Sequence, residues 1–183
     1  MSPKELQSST SRKLNGLMKK VHRLSLQHGS VDYVAGTQSF LRLSSRYTHS
    51  EGNVMTELQR ILHVDDDEDI RSIADIALKL VGQFDLLQCA SGKKATEKAE
   101  VFRPDLFLLD YMMPEMDGEQ TFRELRSLPG LGRVPVVFMT ARVDNEFATR
   151  LRRDGALDVI AKPFDPMELA NQLRALWQNY TGL

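Results

Sequence analysis

Five short apolar runs, separated by amphipathic stretches, constrain the fold of this chain more than any other feature. They are RILHV, DLLQCA, DLFLLD, VPVVFMT and DVIAKP, and all fall after residue 57. Each is near-continuous rather than alternating, the pattern of strands buried on both faces of a parallel sheet. The stretches between them carry helical periodicity. Ile70, Ile73, Ala74, Ala77, Leu80 and Val81 fall on one face of a first helix, and Ala95, Ala99 and Phe102 mark a second. Phe122 and Leu125 mark a third, and Phe147 and Leu151 a fourth that ends near Gly155, a good residue for a helix C-terminus. Leu169, Leu173, Leu176 and Tyr180 mark a fifth, with Pro166 placed to open it. Five β–α units of this kind predict an α/β domain, a five-stranded doubly wound parallel sheet with right-handed crossovers. The order 2-1-3-4-5 brings the ends of strands 1, 3, 4 and 5 around one crevice, where ligands collect in open sheets.

Acidic and polar residues stand where those runs end. Asp65, Asp66 and Asp67 follow the first, Asp110 closes the third, Thr140 the fourth, and Lys162 follows the fifth. A carboxylate is a competent nucleophile toward phosphorus and forms an acyl phosphate. Phosphoryl transfer is mostly a matter of positioning and charge neutralisation. Two anions must meet, so a divalent cation is needed, and Asp65 and Asp66 beside Asp110 are placed to hold it. Mg²⁺ suits the site, because it takes a few oxygen ligands and keeps several waters. Lys162 is placed to pair with Asp110 and then with the phosphoryl group, and Thr140 offers a hydroxyl. Two unit charges at about 4 Å repel by roughly 4 kcal/mol at an effective dielectric near 20. Lys162 offsets only part of that, so Mg²⁺ is expected to stabilise the fold.

Composition narrows the setting. No apolar stretch approaches the roughly 20 residues of a membrane helix, and the start MSPKELQSSTSRKLNG has no apolar secretion core. The single cysteine, Cys89, excludes an internal disulfide and fits a reducing cytoplasm. The near-neutral total hides an asymmetry: residues 1–54 carry eight Lys/Arg against three acids, so they hold +5 and the remainder −6. Residues 1–56 therefore form a basic N-terminal extension, distinct from a domain over 57–183. The segment SRKLNGLMKKVHRLSLQH could form a basic amphipathic helix. Three readings compete for the extension: a disordered arm, a helix docked on the domain or a partner, and upstream sequence outside the native protein. For the last, Met55 begins MTELQRILHVDDD, and the preceding EGNV is compatible with a purine-rich ribosome-binding sequence.

In this order and spacing the residues closely resemble the receiver domain of two-component response regulators, over residues 57–180. The matching motifs are VDDDEDI, LLDYMMPEMDG, FMTAR and AKPF. Asp66 lies 44 residues before Asp110, which lies 30 before Thr140, itself 22 before Lys162. The resemblance implies a flavodoxin-like fold and the same strand order. It implies a phosphorelay in which a histidine kinase or histidine phosphotransfer protein phosphorylates Asp110. The family's Mg²⁺ then sits on Asp66 and Asp110, on Asp65 through water, and on the main-chain carbonyl of Met112. The peptide between Lys162 and Pro163 is expected to be cis, and the donor to dock across the early turns of helix 1 and the loop at Pro163 and Phe164. Met112 and Arg142 occupy positions that tune phosphoryl lifetime. The chain departs from the family at Val159, three residues before the lysine, where an aromatic residue usually stands. The fifth helix reaches the end of the chain, so a stand-alone receiver is expected: a signalling domain rather than an enzyme, with no membrane partner and no nucleic acid.

Plainer roles stand beside these. Asp67, Glu68 and Asp69 suit a helix N-terminus. Asp117-Gly118 reads as a turn, Met112, Met113 and Met116 as packing filler, and the run RLRRD as one charged helix face. His63, in mid-strand, reads as a satisfied buried histidine. Two rival functions remain. A haloacid-dehalogenase-type phosphatase also uses Asp, Mg²⁺, Thr/Ser and Lys on a parallel sheet. Its nucleophile belongs on strand 1, two residues before a second acid; Asp65 and Asp67 have that spacing but run straight into a helix. The second rival is nucleic-acid binding by the basic extension, which would weaken steeply with salt.

Overall fold

The computed structural model describes residues 57–142 and 144–182; the expectations for residues 1–56 lie outside the described residues. Five strands, β1 (Arg60–Val64), β2 (Asp85–Cys89), β3 (Leu106–Asp110), β4 (Val136–Thr140) and β5 (Asp158–Ala161), form one sheet. Their order is β2-β1-β3-β4-β5, with every neighbouring pair parallel. β3 and β4 are buried along their whole length, as their unbroken apolar runs require.

Helices cover both faces. α1 (Glu68–Asp75) continues into a π-helical segment, Ile76–Val81, and α5 spans Leu169–Thr181. Ala74, Ala77, Leu78, Leu169, Ala170 and Leu173 from these helices pack on one face against Ile61, Leu106, Leu108, Val137 and Met139. α2 (Gly92–Phe102), α3 (Gly118–Ser127) and α4 (Asn145–Arg153) cover the other face. Their Ala95, Ala99, Phe122, Leu125, Phe147 and Leu151 meet Leu62, Val64, Phe107, Leu109 and Phe138 there. Fully burying a side chain such as Leu or Phe contributes about 1.5–3 kcal/mol, so these two layers hold the sheet.

Local signals set the helix starts. Asp67 caps α1, accepting from Asp69 N at 2.8 Å and Ile70 N at 3.2 Å. Asp144 caps α4 through Phe147 N at 2.8 Å. Asp117 is more than a turn residue: it forms a reciprocal capping box with Gln120 at the start of α3. Gly155, at φ +105°, follows the end of α4 as expected.

The structure corrects the helical faces at three places. In the π-helical segment Gly82 N bonds Ala77 O at 3.0 Å, five residues back rather than four. That wider winding turns Leu78 into the core and leaves Leu80 58% exposed. Tyr180 is also exposed, its hydroxyl donating to Arg133 O at 3.3 Å. Pro166 does not open α5: Asp165 caps a preceding turn, accepting from Met167 N at 2.8 Å, and α5 starts at Leu169.

Candidate functional site

Because all five strands run the same way, the residues that end them share one edge of the sheet. The chain reverses its winding between β1 and β3, the switch point where open sheets bind ligands. Asp65 follows β1 and is fully buried, Asp66 beside it is exposed, and Asp110 ends β3 almost buried. One oxygen from each of the three lies within 4.8 Å of the others. Lys162, just past β5, places Nζ 2.6 Å from Asp65 Oδ2 and 3.0 Å from Asp110 Oδ1. Sequence reasoning paired this lysine with Asp110 alone. The structure makes it a bridge with its shorter arm on Asp65, the acid with no exposed surface to share its charge.

Burial dominates the electrostatics. It raises the carboxyls of Asp65 and Asp110 above the usual range, although the Lys162 ammonium pulls both down. His63 is pushed down to about 3 by burial first, then by Lys162 and Arg71, so its ring is neutral at physiological pH. The expectation of a satisfied histidine holds for one ring nitrogen only. Nδ1 lies 3.0 Å from Gln88 Nε2, while the buried Nε2 has no hydrogen-bond partner and sits 4.0 Å from Asp65 Oδ2.

Thr140 ends β4 fully buried, its Oγ1 accepting from Arg142 N at 3.1 Å. Together with Tyr111, Met112, Arg142, Phe147 and Arg150 it lines an open groove beside Asp110. Met112 is 71% exposed, and its N–H donates to Asp110 Oδ1 at 3.4 Å; Met113 is buried as packing. The Lys162–Pro163 peptide is cis, as expected. Val159 is partly buried against the core of the α2–α4 face, but the ring next to the site belongs to Tyr111. That ring packs edge-on against Phe147 at 4.7 Å and Phe138 at 5.9 Å. Arg150 donates to the Tyr111 hydroxyl at 3.0 Å and pairs with Glu119 at 2.9 Å. The RLRRD run is therefore not uniformly solvated, because Arg150 turns back onto the site's flank.

Several supporting residues escaped sequence reasoning. Arg71 Nη1 donates to the main-chain oxygens of Asp65 and Asp66, both at 2.8 Å, and so ties the acidic loop to α1. Gln88, opposite His63 across β1 and β2, reaches both His63 and Arg71 O. Gly118 packs so closely that a Cβ would lie 2.5 Å from Asp110 O. Only the glycine in MDG hinted at this. The Gln88–His63 contact depends on strand register, which no local pattern shows, whereas Arg71 meets carbonyls only five and six residues before it.

A cluster of three carboxylates, one of them open to solvent, suits a hard divalent cation that keeps part of its water shell. Residues 61–174 match the family model described as "Response regulator receiver domain". Among curated relatives, the chain is 40% identical over 115 residues to the regulatory protein AtoC of Escherichia coli, covering 63% of this chain and 24% of AtoC. It is 40% identical over 120 residues to the DNA-binding response regulator MtrA of Mycolicibacterium smegmatis, covering 66% of this chain and 51% of MtrA. The chain thus spans about half the length, or less, of these relatives. The DNA binding named for MtrA runs against the expectation that nucleic acid plays no part. Among solved structures, the chemotaxis protein CheY4 of Vibrio cholerae shares 27% identity with a TM-score of 0.60, covering 65% of this chain and 98% of that one. A response regulator from Desulfuromonas acetoxidans aligns with the same TM-score at 26% identity, over 66% of this chain and 98% of its own.

Proposed function

The chain belongs to the response regulator receiver family, and from that premise we propose that it accepts a phosphoryl group on Asp110 in a phosphorelay. The donor is a histidine kinase or a histidine phosphotransfer protein. The observation that carries this reading is the Lys162 ammonium held between Asp65 at 2.6 Å and Asp110 at 3.0 Å, beside a cation-sized acidic cluster.

In the transfer, an Asp110 oxygen forms a P–O bond as the donor's P–N bond breaks, and the electron pair stays on the donor imidazole. Asp65, Asp66, Asp110 and the main-chain carbonyl of Met112 would hold Mg²⁺, which when bound neutralises charge between the incoming phosphoryl group and the carboxylates. Lys162 pairs with the new phosphoryl oxygens, and Thr140 donates its hydroxyl to one of them. This is a signalling domain that assists its own phosphorylation and dephosphorylation, not an enzyme with a separate substrate. It acts in the cytoplasm, in keeping with one free, buried cysteine. The signal leaves through altered protein–protein contacts. DNA binding is named for MtrA and is not carried over to this chain.

Phosphotransfer from purified kinases and phosphotransfer proteins tests the reading. Label is expected on the wild type with Mg²⁺, none after chelation, and none on Asp110→Asn. Failure of every donor to label the wild type overturns it.

A further inference from the structure

His63 has no part in the reading above, yet its placement bears directly on Asp65. It lies fully buried on β1, in register with Gln88 on β2 and Leu108 on β3. Gln88 Nε2 donates to Arg71 O at 2.8 Å. A carbonyl oxygen only accepts, so the amide presents its NH₂ end there, and the same NH₂ faces His63 Nδ1 at 3.0 Å. Nδ1 must therefore accept, and the neutral ring carries its proton on Nε2. That N–H is buried and without a hydrogen-bond partner, 4.0 Å from Asp65 Oδ2. An orphaned buried donor is costly to keep, and one in a native structure calls for an explanation.

The two oxygens of Asp65 are held differently. Oδ1 accepts from Asp67 N at 3.0 Å, while Oδ2 depends on Lys162 at 2.6 Å. Lys162 also reaches Asp110. Once Asp110 carries a phosphoryl group, negative charge moves outward to the phosphoryl oxygens and draws the ammonium with it. Oδ2 then loses its partner in a fully buried position. A movement of about 1 Å would bring it within hydrogen-bond range of the waiting His63 donor.

Resting on the phosphoacceptor reading, we propose that His63 is a positioning residue: its Nε2–H takes over Asp65 Oδ2 when Lys162 turns to the phosphoryl group. The handover keeps Asp65 in place, and Asp67 N and the Arg71 guanidinium hold the rest of its loop.

Isotope-edited imidazole NMR on the full chain with Mg²⁺ tests this, using beryllofluoride as the phosphoryl mimic. The bonded proton is expected on Nε2 throughout, and its resonance should move downfield when beryllofluoride binds. Lys162→Met should show the downfield position without the mimic. A proton on Nδ1, or an unmoved resonance with beryllofluoride bound by fluorine NMR, overturns the handover and leaves the phosphoacceptor reading intact. Failure of the wild type to bind beryllofluoride overturns both. His63→Phe keeps a ring but removes the donor, and should weaken beryllofluoride binding by about ten-fold or more, the lower end of what one hydrogen bond to a charged group is worth. Its Mg²⁺ affinity should change far less. Unchanged beryllofluoride affinity in that variant counts against the proposal.

Discussion

The two faces of the sheet meet at Asp110 but are built from different materials. Side chains alternate along a strand, so His63, Asp65, Asp110 and Lys162 follow the register of the α1/α5 face. Tyr111, Thr140 and Val159 follow that of the α2–α4 face. On the first face the site is made of charges: two buried carboxylates bridged by one ammonium, with a neutral histidine behind them. On the second it is made of rings, with Tyr111, Phe138, Phe147, Phe122 and Phe107 in edge-on contact. The charged face responds to ions, whose attraction changes with each arriving charge. The aromatic face supplies rigidity, because packed rings resist small displacements. A chemical event at Asp110 therefore begins on one face, and the neighbouring Tyr111 adjoins α4 on the other.

The sharpest way to break this contrast is Phe138→Ala on the aromatic face. A buried ring removed from a packed cluster should cost about 3–5 kcal/mol in urea unfolding. The loss should be the same with and without Mg²⁺. A loss that shrinks on adding Mg²⁺ would mean the two faces are not separable.

Next comes the ion itself. Mg²⁺ at about one hundred times its Kd should stabilise the wild type by roughly 2.7 kcal/mol, read as a rise in melting temperature. Asp66→Asn, the solvent-facing member of the cluster, should remove most of that gain. A melt indifferent to millimolar Mg²⁺ counts heavily against the site.

The smallest effect lies on the seam. Tyr111→Phe keeps the ring but removes the hydroxyl that accepts from Arg150 at 3.0 Å. It should cost about 1 kcal/mol in stability and leave Asp110 able to accept a phosphoryl group. Abolished phosphorylation in that variant would place Tyr111 in the charged machinery rather than beside it.

The strands and the residues that end them were legible in the chain, while the strand order followed from the crevice it would form and from the resemblance to receiver domains. Continuous apolar runs require burial on both faces, and in a parallel sheet whatever follows each run arrives at one edge. That logic places Asp65, Asp66, Asp110, Thr140 and Lys162 at one edge; the strand order gathers them around one crevice. What sequence reasoning missed depended on neighbours far along the chain. Leu80 looked like a core residue because α-helical periodicity was assumed through a segment that winds as a π-helix. Arg150 looked solvated because Tyr111, 39 residues away, was out of view.

The sequence by itself determined five β–α units and where the acids and the lysine stand along them, since hydrophobic periodicity is a local property that adds up along the chain; the strand order came with the resemblance to receiver domains. Only the tertiary structure decided how those groups share charge. Lys162 favours Asp65, 97 residues distant, and the proton of His63 is set by Gln88, 25 residues distant, through Arg71. Hydrogen-bond direction and burial depend on which groups finally face each other, and only strand pairing and helix packing together bring them there.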